Sequence, residues 1–256
     1  MTVGEVTSVL ESFAPLGIQE KWDNSGLLIG SPDSPVHGIL VGLDCTPELI
    51  DEATACGADL VVTHHPLIFG GLSHISPDDP VGLAVLKAIK AGISVYAAHT
   101  TADKAAGGVS WEMARRLGLQ DVEILDPEAP GVGLGVVGNL PEPVSGEEAV
   151  MLVKERFGAS VVRASKPVGR VSRIALCGGS GSSLIEKARL SGAQAYVSGD
   201  ISYHHFFQGE GFMVMDIGHF ESEVDIVDNL FSLLRKNFPT FAVRRSDALK
   251  NPVYYY

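Results

Sequence analysis

The feature that most constrains the fold of this chain is an internal repeat. Residues 39–65 and 174–200 align without a gap at a constant offset of 135, as ILVGLDCTPELIDEATACGADLVVTHH and IALCGGSGSSLIEKARLSGAQAYVSGD. Each copy has two short apolar runs around a segment that ends at a glycine, Gly57 or Gly192, which is the pattern of a strand, a helix and a second strand. Such βαβ units have parallel strands and a right-handed crossover. All βαβ units look somewhat alike, but a gapless match of this length favours duplication, so we expect two similar α/β lobes.

The lobes are expected to divide within a segment rich in glycine and proline, residues 126–144. A helix is predicted soon after it, over residues 147–157. This division places the first lobe at residues 1–125 and the second at residues 126–256. The C-terminal helix and strand, within residues 224–256, could pack on either lobe, which leaves a discontinuous first lobe open.

Composition excludes several classes of function. The 256 residues carry a formal net charge of −12, with a pI near 5.0, so a broad basic surface for nucleic acid is not expected. The three cysteines, Cys45, Cys56 and Cys177, form no C-x-x-C pair, which argues against a disulfide framework and a thiolate metal site. The N-terminal segment has acids where a signal peptide needs basic residues, and no apolar run approaches the roughly 18 residues of a membrane span. We therefore expect a soluble, cytoplasmic protein with no membrane partner.

A histidine pair lies where the second strand of the first repeat ends. His64 and His65 follow the apolar run LVVT and precede Pro66. Ligands of α/β sheets bind at the carboxyl ends of strands, and two adjacent side chains can serve one site only where the strand ends and the chain turns. An exposed pair is the commoner explanation of two adjacent histidines, but the position at the strand end favours metal ligands here.

Two further strand ends carry residues able to bind a metal. His99 and Asp103 follow the strand ISVYA, and Asp44 follows ILVGL. His99 alone is compatible with a partly buried structural histidine or with a residue that orients a metal ligand. Asp103 alone would fit a loop or a helix cap, and for Asp44 we favour the N-cap of the following helix over a ligand.

The second half carries a matching set. His219 and Glu223 stand four residues apart after the strand FMVMD, so the start of a helix would turn both toward one point. For this pair taken alone, we favour a helix N-terminus rich in acids. The segment SGDISYHHF, with Asp200 and His204, takes the place that His64 and His65 have in the first repeat, either lining the same cleft or forming a surface loop.

A glycine-rich turn, CGGSGSSL at residues 177–184, opens the helix of the second repeat. Backbone amides in such turns can hold phosphate, but the segment lacks the lysine of a P-loop and does not match G-x-G-x-x-G. A tight turn between strand and helix explains it at least as well.

The candidate ligands are histidines and carboxylates alone, namely His64, His65, Asp103, His219 and Glu223. Such a set suits Zn, Fe or Mn, and not Ca or Cu(I). Five ligands that include two acids able to bridge indicate two divalent ions per chain, in the cleft between the lobes.

Seven segments of the chain form an ordered set. They are EKWDNSGLLIG at 20–30, VTHHP at 62–66, AHTTADKAAGGV at 98–109, CGGSGS at 177–182, SGDISYH at 198–204, GHFESE at 218–223 and NPV at 251–253. This set, which spans essentially the whole chain, resembles the Nif-three-like dinuclear metal-centre family, also called the GTP cyclohydrolase 1 type 2 homologue family. One departure is Thr101-Ala102, where many members carry Asn-Leu, and it leaves Asp103 intact.

The resemblance implies a ligand set, an assembly and an activity. The family's metal ligands correspond to the five residues already named, with Asp103 and Glu223 as the carboxylates able to bridge both ions. The assembly is a toroidal homohexamer, a trimer of dimers, without the extra central domain of the longer members. The activity implied by the family name is hydrolytic opening of the guanine ring of GTP with release of formate, in which His99 or His204 would transfer protons.

Three functions stay open. The first is a dinuclear metal-dependent hydrolase acting on a nucleotide or a related phosphorylated small molecule. The second is a phosphoesterase that uses the same two ions. The third is a non-enzymatic protein of metal regulation or metal trafficking, in which protein ligands would fill every coordination position. Five ligands across two ions leave positions free, which favours catalysis.

Overall fold

The computed structural model describes residues 1–256, which form eleven strands and nine α-helices. The strands are β1 Gly26–Ile29, β2 Gly38–Gly42, β3 Leu60–Thr63, β4 Ser94–Ala97, β5 Gln120–Ala129, β6 Val132–Val144, β7 Arg163–Ala164, β8 Val171–Ser180, β9 Ala195–Gly199, β10 Met213–Asp216 and β11 Ala242–Arg245. The α-helices are α1 Val3–Phe13, α2 Pro47–Cys56, α3 Pro80–Ala91, α4 Thr100–Lys104, α5 Val109–Leu117, α6 Gly146–Phe157, α7 Ile185–Leu190, α8 His219–Glu223 and α9 Asp225–Asn237. The longest, α9, has 13 residues, and none combines the length and apolarity that crossing a bilayer requires.

The chain forms two compact units. The first contains residues 1–105 and 226–250, and the second contains residues 106–225 and 251–256. The second unit includes α5, because the apolar face of this helix packs in a core with strands of the second sheet. Most of α9 and all of β11 belong to the first unit, where β11 pairs with β2.

The first unit is built on a five-stranded sheet in the order β1-β4-β3-β2-β11. Strands β2, β3, β4 and β11 are parallel, and β1 pairs with β4 in the antiparallel direction. Every residue of β2, β3 and β4 is buried, as expected for parallel strands covered on both faces. The parallel order brings the carboxyl ends of these strands to one edge, where Asp44, His64 and His99 follow.

The second unit is built on a six-stranded sheet in the order β5-β6-β8-β9-β10-β7. Its three central strands, β8, β9 and β10, are parallel, whereas the flanking pairings are antiparallel. Asp200 follows the end of β9, and His219 follows the end of β10. These two residues therefore leave neighbouring parallel strands at the same edge of the sheet.

The predicted repeat is confirmed in the strand register. Ile39 pairs with Leu60 in the first unit and Ile174 pairs with Ala195 in the second, so both partners keep the offset of 135. Helix α2 begins with Pro47 and its C-cap is Gly57, as the sequence indicated. The chain is therefore an α/β protein with two similar sheets, each with a parallel βαβ unit.

Candidate metal centre

Three histidines of the first unit lie together at the sheet edge. The ring centroids of His64 and His65 are 4.9 Å apart, and the ring of His99 lies 5.4 Å from the first and 5.6 Å from the second. One ring nitrogen from each lies within 4.8 Å of the others, which is close enough to share a metal ion. The cluster forms because β3 and β4 are parallel neighbours, so the residues that follow them meet at one edge.

Each of these rings is fixed through Nδ1. His64 Nδ1 donates to the carbonyl oxygen of Ala98 at 2.8 Å, and His65 Nδ1 donates to Asp44 at 2.7 Å. His99 Nδ1 donates to Asp23 at 2.7 Å. A proton on Nδ1 leaves the lone pair of the neutral ring on Nε2, and this pattern of a carbonyl or carboxylate behind the ring is typical of metal-binding histidines.

Asp103 faces the same cluster. It lies on the short helix α4, whose N-cap is His99, and its Oδ1 atom is 3.6 Å from Nε2 of His64. His64 is completely buried. A carboxylate oxygen and the lone-pair nitrogen of a neutral imidazole repel each other at this range unless a cation, either a proton or a metal ion, lies between them. The geometry therefore fits the ligand role that the resemblance implies for Asp103.

The expected N-cap role of Asp44 is wrong. The N-cap of α2 is Thr46, whose side chain accepts from the backbone amide of Leu49. Asp44 lies two residues earlier, and its carboxylate accepts from Nδ1 of His65. Its function at this edge is therefore to orient a histidine rather than to start a helix.

Asp23 is a functional candidate that no local pattern singled out, although it lies in the WDNSG part of a family segment. Its side chain is fully buried and accepts from His99 Nδ1, from the backbone amide of Thr100 at 3.0 Å and from the hydroxyls of Thr100 and Ser25. Burial alone raises the pKa of this carboxyl, but the hydrogen bonds from His99, Thr100 and Ser25 outweigh it and hold the pKa well below the ordinary value.

Asp23→Asn is expected to lower the stability of the protein at neutral pH and to matter less in acid. Because the folded pKa of Asp23 is depressed, its contribution is present above the unfolded value of 3.8 and is lost as pH falls through the folded pKa. Free energies of unfolding of the metal-free parent and variant, measured between pH 6 and pH 2.5, should converge toward the acid end. A difference between parent and variant that stays constant with pH would contradict this assignment.

The second unit places His219 and Glu223 side by side. They are the first and last residues of helix α8, and Nε2 of His219 lies 3.0 Å from Oε2 of Glu223. His219 Nδ1 donates to Asp200 at 2.8 Å. Asp200 has a left-handed backbone with φ of 52°, which is uncommon outside glycine and is a form of strain often found at functional sites. The pair is similar to His64 and Asp103, with an oxygen acceptor behind the ring and a carboxylate in front of it, but here the acceptor is the Asp200 carboxylate instead of a backbone carbonyl.

The glycine-rich turn of residues 177–184 supports Glu223. A β-carbon on Gly179 would lie 2.2 Å from Oε1 of Glu223, and Gly179 has φ of +61°. The amides of Gly178, Gly179 and Gly181 donate to the hydroxyls of Ser110, Ser222 and Ser198. These amides are therefore engaged within the protein, and the turn serves to seat a carboxylate rather than to cradle phosphate.

His204 lies apart from these pairs in its described contacts. It belongs to a 3-10 helix, Tyr203–Phe206, and its ring lies 5.4 Å from that of Tyr203 and 6.4 Å from that of Phe207. Its proton-transfer role stays a prediction. His99, by contrast, is fixed by Asp23 within reach of two predicted ligands.

The donor chemistry at these positions fits a borderline divalent ion. All candidate donors are imidazole nitrogens and carboxylate oxygens, which suit Zn, Fe or Mn. Burial, assisted by the charge of Asp44, raises the pKa of the Cys45 thiol to about 12, so this nearby sulfur stays protonated and is a poor ligand.

Known proteins are similar to this chain over essentially its whole length. A family model described as Duf34/NIF3 (NGG1p interacting factor 3) matches residues 1–252. A GTP cyclohydrolase 1 type 2 homolog of Clostridium perfringens is 34% identical over 228 residues, which cover 87% of this chain and 87% of that protein. The solved structure of a Bacillus cereus protein related to NIF3 aligns with a TM-score of 0.93 and 24% identity, and the alignment covers 100% of this chain and 99% of that protein. Protein SA1388 of Staphylococcus aureus aligns with a TM-score of 0.92 and 27% identity over the same shares.

Proposed function

The chain belongs to the Duf34/NIF3 family, and on that premise we propose that it is a hydrolase that uses two divalent metal ions and acts on a nucleotide or a related phosphorylated small molecule. The observation that carries this proposal is the shared geometry of four histidines. His64, His65, His99 and His219 all have Nδ1 bonded to a carbonyl or carboxylate oxygen, which leaves the Nε2 lone pair of each ring available for a metal ion or a proton.

We propose that the protein ligands of the two ions are His64, His65, Asp103, His219 and Glu223. Zinc sites usually have three or four protein ligands. These five residues would hold two ions, with the carboxylates of Asp103 and Glu223 able to serve both, and would leave coordination positions for water and substrate.

Bound at these residues, two divalent ions would supply positive charge and activate water near neutral pH. The protein's own part is orientation and proton transfer. Asp44 and Asp200 hold the ring planes of His65 and His219. His99 is held by Asp23 without being needed to complete the ligand set, so we assign it the transfer of protons to and from the substrate. The acidic net charge of −12 gives no general attraction for anions, so the ions themselves must provide the local positive field.

The substrate to test first is GTP. The relative from Clostridium perfringens bears the name GTP cyclohydrolase 1 type 2 homolog, and that name supports a guanine nucleotide as the substrate of this chain. Hydrolytic ring opening would release formate. A phosphoesterase using the same ions would release phosphate instead, so the two products separate the two activities.

Activity is expected to disappear with a chelator, to return when Zn, Fe or Mn is restored, and to fall below about pH 7. Glu223→Ala should abolish turnover, because it removes a bridging carboxylate. Glu147→Ala, an exposed acid of the same unit, should leave turnover unchanged and serves as the control. Formate and phosphate would be quantified with GTP and with simple phosphoesters. If the metal-loaded protein hydrolyses neither class, the non-enzymatic metal-binding function takes its place.

We further propose a homohexamer built as a trimer of dimers, on the strength of the family resemblance. The mass of the protein in solution, measured by light scattering after gel filtration, should be six times the 27.1 kDa of one chain. A monomeric mass would reject this assembly without affecting the metal site.

A further inference from the structure

Two exposed aromatic rings lie directly beside the histidine cluster of the first unit. We infer that Trp22 and Phe69 form the surface on which a planar heteroaromatic base of the substrate stacks. This inference rests on the proposed function, because it names the part of a nucleotide that the metal ligands do not hold. Trp22 is 58% exposed and Phe69 is 57% exposed, so both present ring surface to solvent. Aromatic side chains are the usual platform for unpaired bases because every base offers a π-face.

The ring geometry connects this pair to the metal ligands. The centroids of Trp22 and Phe69 are 5.6 Å apart, and each lies within 6 Å of the ring of His99, at 5.9 Å and 5.8 Å. His99 in turn lies 5.4 Å from His64. The aromatic pair is thus only one ring beyond the metal-binding histidines. A ligand that reaches both places therefore needs to be no larger than a nucleotide.

The spacing also defines how a base would bind. A centroid separation of 5.6 Å is already that of two rings in mutual contact, so a third ring cannot enter between them. The rings are inclined by 35°, and the free area is their outward surface. A base would consequently lie across the exposed faces of the pair rather than being clamped between them.

The two loops that carry the pair are anchored and joined by partly buried polar contacts. Trp22 precedes Asp23, whose carboxylate is anchored by His99 and Thr100. Asn24 Nδ2 donates to the carbonyl oxygen of Ile68 at 2.6 Å, which joins the loop of Trp22 to the loop of Phe69. A surface fixed in this way loses little conformational freedom on binding, as expected of a ligand site.

The neighbouring apolar residues Leu72 and Ile75 are also exposed, so a second copy of the chain is the competing occupant. A base is favoured because its contacts require only the two rings next to His99. A protein interface would use the whole loop, including Leu72 and Ile75. Substitutions of Phe69 and of Leu72, in the same loop, therefore distinguish a bound base from a protein interface.

Binding can be followed through Trp22 itself. The chain has two tryptophans, so Trp111→Phe leaves Trp22 as the only one. In that background, GTP should quench tryptophan emission, whereas inorganic triphosphate, which has no base, should not. Calorimetry provides a second measurement that does not depend on the Trp111 variant. It would compare the affinity for GTP of the metal-loaded parent with that of the single variants Phe69→Leu and Trp22→Leu.

Each ring variant should weaken GTP binding about tenfold or more and leave triphosphate binding unchanged. Leu72→Ala should bind both like the parent. Equal affinity for GTP in parent and ring variants, or parallel loss of GTP and triphosphate binding, would overturn the inference. A change of oligomeric mass in the ring variants and in Leu72→Ala would do so too, because it would identify the patch as an interface between copies.

The two proposals fail in different ways. If GTP quenches Trp22 in a base-dependent manner but is never hydrolysed, the hydrolase proposal fails and the stacking surface stands. If GTP is hydrolysed with an unchanged KM by Trp22→Leu and Phe69→Leu, the stacking surface is wrong and the hydrolase proposal stands.

Discussion

Asp103→Asn is expected to lose at least one of two bound metal ions per chain and nearly all metal-dependent activity. The substitution keeps the shape of the side chain but removes the charge that, in our proposal, bridges two cations. The Oδ1 atom of Asp103 lies 3.6 Å from Nε2 of buried His64, so the substitution acts directly beside a proposed metal ligand. Metal content per chain, measured after dialysis, is the primary readout.

Three further variants serve as comparisons for the metal content of Asp103→Asn. Asp44→Ala removes only the partner behind His65, so metal affinity should fall about 10–100-fold and full occupancy should return at high metal concentration. His99→Ala should retain more metal than Asp103→Asn, because His99 is assigned to proton transfer. Asp51→Asn, at an exposed pair with Lys87, should behave like the parent. If His99→Ala loses as much metal as Asp103→Asn, then His99 is itself a ligand and our assignment is reversed.

Gly179→Ala is expected to disrupt the proposed ligand pair His219 and Glu223 without changing either residue. The added methyl carbon would lie 2.2 Å from Oε1 of Glu223, which is too close for any real contact, so the carboxylate or the turn must move. The backbone at φ of +61° adds strain of about 1 kcal/mol for a residue with a side chain. Metal content and turnover should therefore fall steeply, as far as they do in Glu223→Ala.

Gly192→Ala distinguishes the effect of the close contact with Glu223 from the effect of the backbone strain. Gly192 also has a left-handed backbone, with φ of +80°, but no atom lies within 4 Å of the position of an added β-carbon. This variant should be destabilised by about 1 kcal/mol in denaturant unfolding and should keep its metal. If both alanine variants keep their metal equally, the close approach of Glu223 to Gly179 has no functional role.

Local sequence patterns were sufficient to predict the two α/β lobes and the histidines at one sheet edge. Hydrophobic periodicity and a repeat at offset 135 predicted two α/β lobes, and the strand register kept that offset because each βαβ unit is built from contacts within about 30 residues. The same logic placed His64, His65 and His99 at one sheet edge. Residues that follow parallel neighbouring strands meet there whatever the rest of the chain does.

Tertiary structure alone decided which side chains support those histidines. Asp23 holds His99 across 76 positions of sequence, and Glu223 packs on Gly179 across 44, so no local pattern connects either pair. Asp44 shows the limit most clearly, since a local rule favoured a helix cap while the folded chain uses its carboxylate to hold His65. Periodicity reports which face of a strand or helix is buried, but a hydrogen bond or close contact between distant residues depends on how the packed elements bring their ends together.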